Sequence, residues 1–329
     1  MTGKSALNAP VVCADRFYLS AEAVGELERL GGFAWADAED AGDLARKIGG
    51  SPAVRVIVTE YVPVNDGVLD RAPGLQGVIA YGAGYNHVDA EALLRRGVQV
   101  CNCPGENSQA VAELVFGLLL CLLRRIGKAD PWVRSGGWAR EGLALPAWAT
   151  GGELCGKTLG IVGLGNIGAR VAGIAHGFGM KVTGFDPCLD REGIQGLGVE
   201  PSTLDGVLTR ADIVTLHVPL VPATRGLIGE AELAGARPGM ILVNTSRGGV
   251  IREEALVHAL ESGLIGGAAL DVFADEPLLS SHPLARMDQV ILTPHLGALT
   301  REAGDRLSRS VARQAGDILA GRKPEGLVR

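Results

Sequence analysis

The chain has 329 residues, of which 47% are hydrophobic and 21% charged, and its formal net charge is −6. This length allows two domains with a large buried core. The acidic balance excludes the strongly basic surface by which many proteins hold nucleic acid, so we expect no nucleic-acid partner.

Six cysteines are present, without a C-x-x-C pair or a matching histidine spacing. We interpret them as reduced, buried thiols and expect no metal and no disulfide framework. The N-terminus lacks a basic segment followed by an apolar run, and the uncharged stretch 114–123 is too short to span a bilayer. The sequence therefore predicts a cytoplasmic protein without a membrane partner.

Short apolar runs alternate with helical patterns through the first hundred residues. Strands are predicted at 11–14, 54–59, 75–81 and 98–101, and helices at 21–30, 68–72 and 91–96. A long apolar helix follows at 109–125. Residues 130–152 contain three tryptophans among glycines and prolines and are predicted to be irregular. They form either an arm that packs on a second subunit or a loop over their own domain.

The stretch from Lys157 to Gly168 combines an apolar strand, three glycines at G-x-G-x-x-G spacing and the start of a helix. A second strand then ends at Asp186. In such a unit Gly163 permits the tight turn, Gly165 lets the backbone approach a pyrophosphate, and Gly168 allows close packing of helix on strand. The acid accepts hydrogen bonds from a ribose hydroxyl. This order of elements predicts a dinucleotide site.

The alternation continues to the C-terminus. Strands are predicted at 212–218, 240–244, 267–272 and 290–293, and helices at 202–209, 230–236, 252–262 and 301–319. Strands that alternate with helices form a doubly wound parallel sheet, in which ligands bind beyond the carboxyl ends of the strands. Residues that follow each strand are therefore candidate site residues.

One guanidinium, one carboxylate and one imidazole follow successive strands: Arg247, Glu276 and His295. Reduction of a carbonyl by a nicotinamide needs a cation to hold the substrate and an acid to protonate the developing alkoxide. Singly, these residues could be a surface ion pair, a turn residue and a structural histidine. Together they predict a reductase site, in which His217, at the end of another strand, forms part of the cofactor wall.

The motifs that contain these residues resemble the D-isomer-specific 2-hydroxyacid dehydrogenase family, which includes D-3-phosphoglycerate dehydrogenase and glyoxylate/hydroxypyruvate reductase. The resemblance runs from about Val54 to Arg313 and includes Thr-Pro-His295-Leu-Gly. It implies that Arg247 orients the substrate, that His295 exchanges the proton and that Glu276 pairs with His295. It also implies that backbone N–H groups hold the substrate carboxylate at Tyr81, Gly82, Ala83 and Gly84.

The resemblance further implies a set of residues around the cofactor. These are Gly163, Gly165, Asn166, Ile167, Gly168, Asp186, His217, Val218, Pro219, Thr224, Thr245, Ser246, Asp271 and Gly297. The implied fold class is α/β, with two Rossmann-like domains. A doubly wound NAD-binding domain at 105–296 is inserted into a smaller flavodoxin-like substrate domain made of 1–104 and 297–329.

We expect NAD as the cofactor because Asp186 repels a 2′-phosphate. Family members that bind a phosphorylated substrate carry an arginine after the strand equivalent to 54–59, whereas this chain has Glu60 there. We therefore expect a small non-phosphorylated 2-oxo acid as substrate and a homodimer as the assembly. The alternatives are a D-3-phosphoglycerate dehydrogenase and an NADH-binding corepressor. The alternative interpretation of Glu60 is that it points to solvent.

Overall fold

A computed structural model describes residues 7–328, which form two parallel β-sheets flanked by helices. The chain divides into two compact units. The first unit ends at Asn107 and resumes at Ala298, and the second runs from Ser108 to Gly297. The α/β class with parallel sheets, predicted from the alternation of strands and helices, is confirmed.

The first unit contains a five-stranded sheet in the order β2-β1-β3-β4-β5. Its strands are β1 (Val11–Cys13), β2 (Phe33–Trp35), β3 (Val56–Thr59), β4 (Gly77–Ala80) and β5 (Gln99–Cys101). Its helices before residue 108 are α1 (Ala21–Arg29), α2 (Ala41–Ile48), α3 (Asp66–Leu69) and α4 (Ala90–Arg95). Each of these helices begins at a residue whose side chain accepts a backbone N–H, which is why the chain turns helical there.

The second unit contains a seven-stranded sheet in the order β12-β11-β10-β9-β6-β7-β8. Its strands are β6 (Thr158–Val162), β7 (Lys181–Phe185), β8 (Glu200–Pro201), β9 (Ile213–Leu216), β10 (Ile241–Asn244), β11 (Gly267–Leu270) and β12 (Val290–Leu292). Its helices are α5 (Ser108–Leu123), α6 (Ile126–Arg134), α7 (Gly137–Glu141), α8 (Asn166–Gly177), α9 (Arg191–Gly196), α10 (Leu204–Arg210), α11 (Glu230–Ala234) and α12 (Glu253–Glu261). The order reverses between β6 and β9, as in doubly wound sheets.

The last helix, α13 (Arg301–Leu319), returns to the first unit and packs on α1 and β4. Apolar side chains of α13 join a core cluster with β1, β3 and β4. In the second unit, α5 packs on α8 and on β11 and β12. The β3 and β4 strands are buried along their whole length, which explains their continuous apolar sequence.

Several elements differ from the sequence-based predictions. Among the overlooked elements are β2, which is only three half-buried residues, and α2, which contains a glycine and three charged residues. Residues 130–152, predicted to be irregular, contain part of α6 and all of α7. Cys155 and Cys188 are exposed, so the expectation of buried thiols was wrong for these two.

Between residues 7 and 328, no helix has both the length and the apolar character needed to cross a membrane. In the same range, no three His, Cys, Asp or Glu side chains gather as ligands of a metal ion would.

Candidate active site

The carboxyl ends of six strands in the second unit lie in one row. Backbone pairing aligns the last residues of β7, β6, β9, β10, β11 and β12 with one another. The residue after each strand is, in that order, Asp186, Gly163, His217, Thr245, Asp271 and Thr293. Because ligands of doubly wound sheets bind at this edge, the row is the candidate active site.

The turn from β6 into α8 presents a helix N-terminus to an open cleft. Gly165 is the N-cap of α8, and a Cβ on Gly168 would lie 2.0 Å from the carbonyl oxygen of Gly163. Only glycine therefore permits the helix to begin this close to the strand. The cleft is lined by Leu164, Gly165, Asn166, Ala169 and Arg170. Free N–H groups at such a terminus suit phosphate groups.

Arg170 was not among the predicted residues. Its signal in the sequence is its spacing of four from Asn166, which places both side chains on one face of α8. Ile167 is partly buried and packs against the core, so it offers the cleft its backbone and not its side chain.

Asp186 is tied to the glycine turn by its own carboxylate. One oxygen accepts a hydrogen bond from the N–H of Leu164 at 2.8 Å, and the other accepts one from the N–H of Cys188 at 2.8 Å. A carboxylate offers about four acceptor positions, so about two remain for ribose hydroxyls.

Two buried polar atoms lack a partner where β9 and β10 end. Among the described residues, neither Nδ1 of His217 nor the hydroxyl oxygen of Thr245 has one. The other ring nitrogen of His217 lies 3.0 Å from the hydroxyl of Thr215, and burial lowers the pKa of His217 to about 3. Because a buried polar atom without a partner is costly, these two atoms fit a polar ligand such as the nicotinamide half of a dinucleotide.

Other predicted cofactor residues shape the loops around this point. The hydroxyl of Thr224 donates to the carbonyl of Pro219 at 2.5 Å and accepts from the N–H of Val221. Val218 packs on the core of the unit. The hydroxyl of Ser246 donates to the side chain of Asn244 at 2.8 Å. The hydroxyls of Thr224 and Ser246 are thus engaged within the protein.

Arg247 follows β10 in a turn that Asn244 holds closed. The amide of Asn244 donates to the carbonyl of Arg247 at 2.9 Å. At the next residue, a Cβ on Gly248 would lie 1.9 Å from the backbone of Phe273. The segment that carries Arg247 therefore packs directly on the loop that leads to Glu276, and only glycine allows this approach.

His295 and Glu276 form a pair in the second unit. Nδ1 of His295 lies 2.8 Å from Oε2 of Glu276, and each side chain is about one-third exposed, at 34% and 35%. Burial alone raises the pKa of Glu276. The hydrogen bonds from His295 and from the N–H of Phe273, with the charges of His295 and Arg247, outweigh it and hold this pKa below its usual value. The carboxylate therefore stays ionised and orients the imidazole.

Asp271 fixes the loop that carries His295. Its buried carboxylate accepts hydrogen bonds from the hydroxyl of Thr293 and from the N–H groups of Leu296 and Gly297, at 2.6, 2.7 and 2.9 Å. The backbone of His295 has a φ of 54°, which a non-glycine residue rarely adopts. Three hydrogen bonds to one carboxylate stabilise this conformation. Asp271 and Gly297, both predicted to border the cofactor, thus bind each other.

In the first unit, residues 81–84 follow β4 and contain no charged side chain. Tyr81 is only 8% exposed, and its hydroxyl donates to the carbonyl of Tyr18 at 2.6 Å. Burial is the main cause that raises the pKa of Tyr81 above its usual value, and Glu60 also contributes. The side chain of Tyr81 therefore supports the loop, and Gly82, Ala83 and Gly84 follow it at the carboxyl edge of the sheet.

The chain is similar to known dehydrogenases and reductases along most of its length. It is 41% identical over 273 residues to D-3-phosphoglycerate dehydrogenase of Rattus norvegicus, covering 83% of this chain and 50% of that protein. It is 39% identical over 297 residues to glyoxylate reductase of Thermococcus litoralis, covering 89% of each. The chain thus spans about half the length of the first relative and most of the second.

A solved structure has the same fold. The NADPH-dependent glyoxylate/hydroxypyruvate reductase of Sinorhizobium meliloti, in complex with NADP and malonate, superposes with a TM-score of 0.86 at 28% identity. The superposition covers 98% of this chain and 97% of that one. In addition, the profile of the D-isomer specific 2-hydroxyacid dehydrogenase NAD binding domain matches residues 116–297. The chain belongs to the D-isomer specific 2-hydroxyacid dehydrogenase family, whose members are oxidoreductases.

Proposed function

We propose that this protein is an NAD-dependent D-2-hydroxyacid dehydrogenase that interconverts a small, non-phosphorylated 2-oxo acid and its 2-hydroxy acid. The observation that carries the proposal is the pair of His295 and Glu276, 2.8 Å apart in the unit that also contains the glycine turn. In this proposal the second unit binds the dinucleotide and the first unit binds the substrate.

The roles of the side chains follow from their chemistry. The glycine turn and Asp186 would hold a nicotinamide dinucleotide, which would supply or take up the hydride. Arg247 holds the substrate and polarises its carbonyl, because a guanidinium offers several donors in a fixed plane. His295 gives a proton to the developing alkoxide, and Glu276 stabilises the protonated imidazole. Glu276 lies 2.8 Å from the imidazole and orients it for this transfer.

For the cofactor we propose NAD rather than NADP. The support is Asp186, whose carboxylate lies beside the glycine turn and repels a 2′-phosphate. The reductase of Sinorhizobium meliloti is NADPH-dependent, so the preference for NAD needs a direct test. Measured dissociation constants for NADH and NADPH test the proposal, and tighter binding of NADPH would overturn it.

For the substrate we propose a 2-oxo acid without a phosphate, similar to glyoxylate or hydroxypyruvate. The loop after β3 supports this because it already binds an anionic side chain of the protein, Asp15. The carboxylate of Asp15 accepts hydrogen bonds from the N–H groups of Glu60, Tyr61 and Val62, at 2.9, 2.6 and 3.2 Å. Successive N–H groups of this kind form an anion-binding nest. Asp15 fills the nest, and Glu60 adds a second negative charge.

For the assembly we propose a homodimer. Residues 126–145 support this, since α6 has no buried residue and this segment exposes Ile126, Val133, Trp138, Leu143 and Leu145. Trp132 and Trp148 pack edge to face, 5.6 Å apart, so these two indoles contact each other. Light scattering at micromolar concentration tests the assembly, and a monomeric mass would overturn it.

The decisive experiment measures oxidation of NADH with a panel of 2-oxo acids. We expect glyoxylate or hydroxypyruvate to be reduced, and 3-phosphohydroxypyruvate to be a poorer substrate. Faster turnover of the phosphorylated compound would favour D-3-phosphoglycerate dehydrogenase, which is the activity named for the relative from Rattus norvegicus. NADH binding without turnover of any 2-oxo acid would favour a corepressor-like role.

A further inference from the structure

Residues 82–84, the loop after β4, accept two hydrogen bonds through their backbone carbonyl groups. The backbone N–H of Cys103 donates to the carbonyl of Gly82 at 2.7 Å, and the side-chain amide of Asn102 donates to the carbonyl of Ala83 at 2.7 Å. Asn102 and Cys103 are consecutive residues after β5, and together they bind the carbonyls of two neighbouring peptide groups. The amide of Asn102 must present its nitrogen here, because an oxygen at that distance would repel the carbonyl.

These two contacts also decide where the N–H groups of the loop point. In a trans peptide the C=O and the N–H of one planar group point in opposite directions. The peptide groups after Gly82 and Ala83 are trans. The N–H groups of Ala83 and Gly84 therefore point away from Asn102 and Cys103. Neither of them donates to any acceptor among residues 7–328.

We propose that Asn102 is a positioning residue for the substrate carboxylate. Its side chain holds the carbonyl of Ala83, and this turns the N–H of Gly84 towards the same side as the N–H of Ala83. Two adjacent N–H groups that lack partners at the carboxyl edge of a parallel sheet form a receptor for an anion. This inference rests on the proposed function, because it takes the anion to be the carboxylate of a 2-oxo acid.

The main chain of Asn102 keeps its side chain in place. Its N–H donates to the carbonyl of Gly326 at 3.0 Å, and its carbonyl accepts from the side chain of Gln314 at 3.0 Å. Gln314 lies on α13 and is 1% exposed. The main-chain contacts of Asn102 do not depend on its side chain, so a substitution can remove the amide without releasing the segment.

The test replaces the amide and measures the binding of substrate separately from turnover. In Asn102→Asp the side chain loses its donor and places a negative charge against the carbonyl of Ala83. In Asn102→Ala it loses the donor alone. We expect KM for the 2-oxo acid to rise about tenfold in the alanine variant and further in the aspartate variant. The kcat and the dissociation constant of NADH should change less than about threefold.

A matched control makes the same chemical change elsewhere in the unit. Asn65→Asp also adds a carboxylate, but its side chain still accepts the N–H of Gly67, so KM should stay unchanged. An unaltered KM in both Asn102 variants would overturn the inference. A fall of kcat at constant KM, or an equal loss of NADH affinity, would also overturn it, because either result indicates a general structural role.

A second measurement does not depend on the variants. Oxamate is an unreactive analogue of a 2-oxo acid, and its carboxylate should shift the amide resonances of Ala83 and Gly84 in the NADH complex. Unshifted amides at saturating oxamate would overturn the inference even if the variants failed to fold. Failure of the proposed function is a separate result, since it would appear as no turnover of any 2-oxo acid by the unchanged protein.

Discussion

Both units have candidate site residues at the carboxyl edge of a parallel sheet, but the chemical groups at the two edges differ. After the strands of the second unit, the chain presents charged side chains, namely Arg247, Glu276 and His295. After β4 of the first unit it presents backbone N–H groups, and the nearest large side chain, Tyr81, is buried. In the proposed function, the edge of the second unit exchanges the proton and the edge of the first unit binds the substrate carboxylate.

This difference follows from the neighbours of each loop. The carboxylate of Asp271 accepts three hydrogen bonds from the loop of His295. The imidazole of His295 contacts Glu276 instead. Asn102 and Cys103 bind the carbonyls of Gly82 and Ala83, and the N–H groups of Ala83 and Gly84 have no acceptor among residues 7–328. In both loops a side chain outside the reaction fixes the backbone: Asp271 in the second unit and Asn102 in the first. The imidazole of His295 and the N–H groups of Ala83 and Gly84 take no part in this fixation.

The largest expected effect tests whether the second edge supplies the proton. Replacing His295 by Gln should lower kcat by about 10²- to 10⁴-fold, because a positioned general acid contributes that much. The affinity for NADH should hardly change. His282→Gln is the matched control, since His282 also pairs with a glutamate, Glu253, at 3.0 Å. If His295→Gln turned over as fast as the unchanged protein, the edge of the second unit would not supply the proton through His295.

A smaller effect is expected when the charge behind the imidazole is removed. The pKa of Glu276 lies below its usual value, so its carboxylate remains charged from pH 5 to 8. In Glu276→Gln the protonated imidazole loses this stabilisation. The pH–rate profile for 2-oxo acid reduction should therefore shift relative to that of the unchanged protein. An unchanged profile, measured with saturating NADH, would argue against the pair.

A third test concerns Asp186 and the preference of the protein for NADH over NADPH. Replacing Asp186 by Asn removes the negative charge but keeps an acceptor for the N–H of Leu164. The preference for NADH over NADPH should fall about tenfold, because the repulsion of a 2′-phosphate is lost. The ratio of the two values of kcat/KM measures this preference. A ratio equal to that of the unchanged protein would mean that Asp186 does not discriminate.

The smallest expected effect concerns stability rather than turnover. The pKa of His217 falls from 6.5 to about 3 on folding, so between these values the unfolded chain binds more protons. Stability should therefore rise with pH in this window, by up to about 1.4 kcal/mol per pH unit from this residue. In His217→Gln the urea midpoints between pH 4.5 and 6.5 should depend less on pH. The exposed His258→Gln serves as control, and parallel curves for both variants would contradict the assignment.

Much of the second unit could be predicted because its signals are local. The glycine turn, Asp186 and the segments with Arg247 and His295 are each visible within a few residues of a predicted strand end. The roles of Asp15 and Asn102 could not be predicted, because Asp15 contacts residues 45 to 47 positions away and Asn102 contacts Ala83, 19 positions away. Such contacts depend on which strands become neighbours.

The same limit explains the details that the sequence left open. The backbone of Tyr81 was predicted to bind the substrate, whereas the hydrogen bond from its hydroxyl to the carbonyl of Tyr18, 63 positions away, could not be predicted. Short or exposed elements such as β2, α7 and β8 also lack a periodic pattern of sufficient length. Sequence periodicity thus predicts core elements well, whereas side-chain direction at a strand end needs the fold.

The nest filled by Asp15 has a consequence for engineering the substrate range. The N–H groups of Glu60, Tyr61 and Val62 hold the backbone of the loop after β3 on the carboxylate of Asp15. Because these three hydrogen bonds use main-chain donors, a combinatorial library at Glu60 and Tyr61 retains all of them. With Asp15 kept, such a library would diversify selectivity while the proton-transfer residues of the second unit remain untouched.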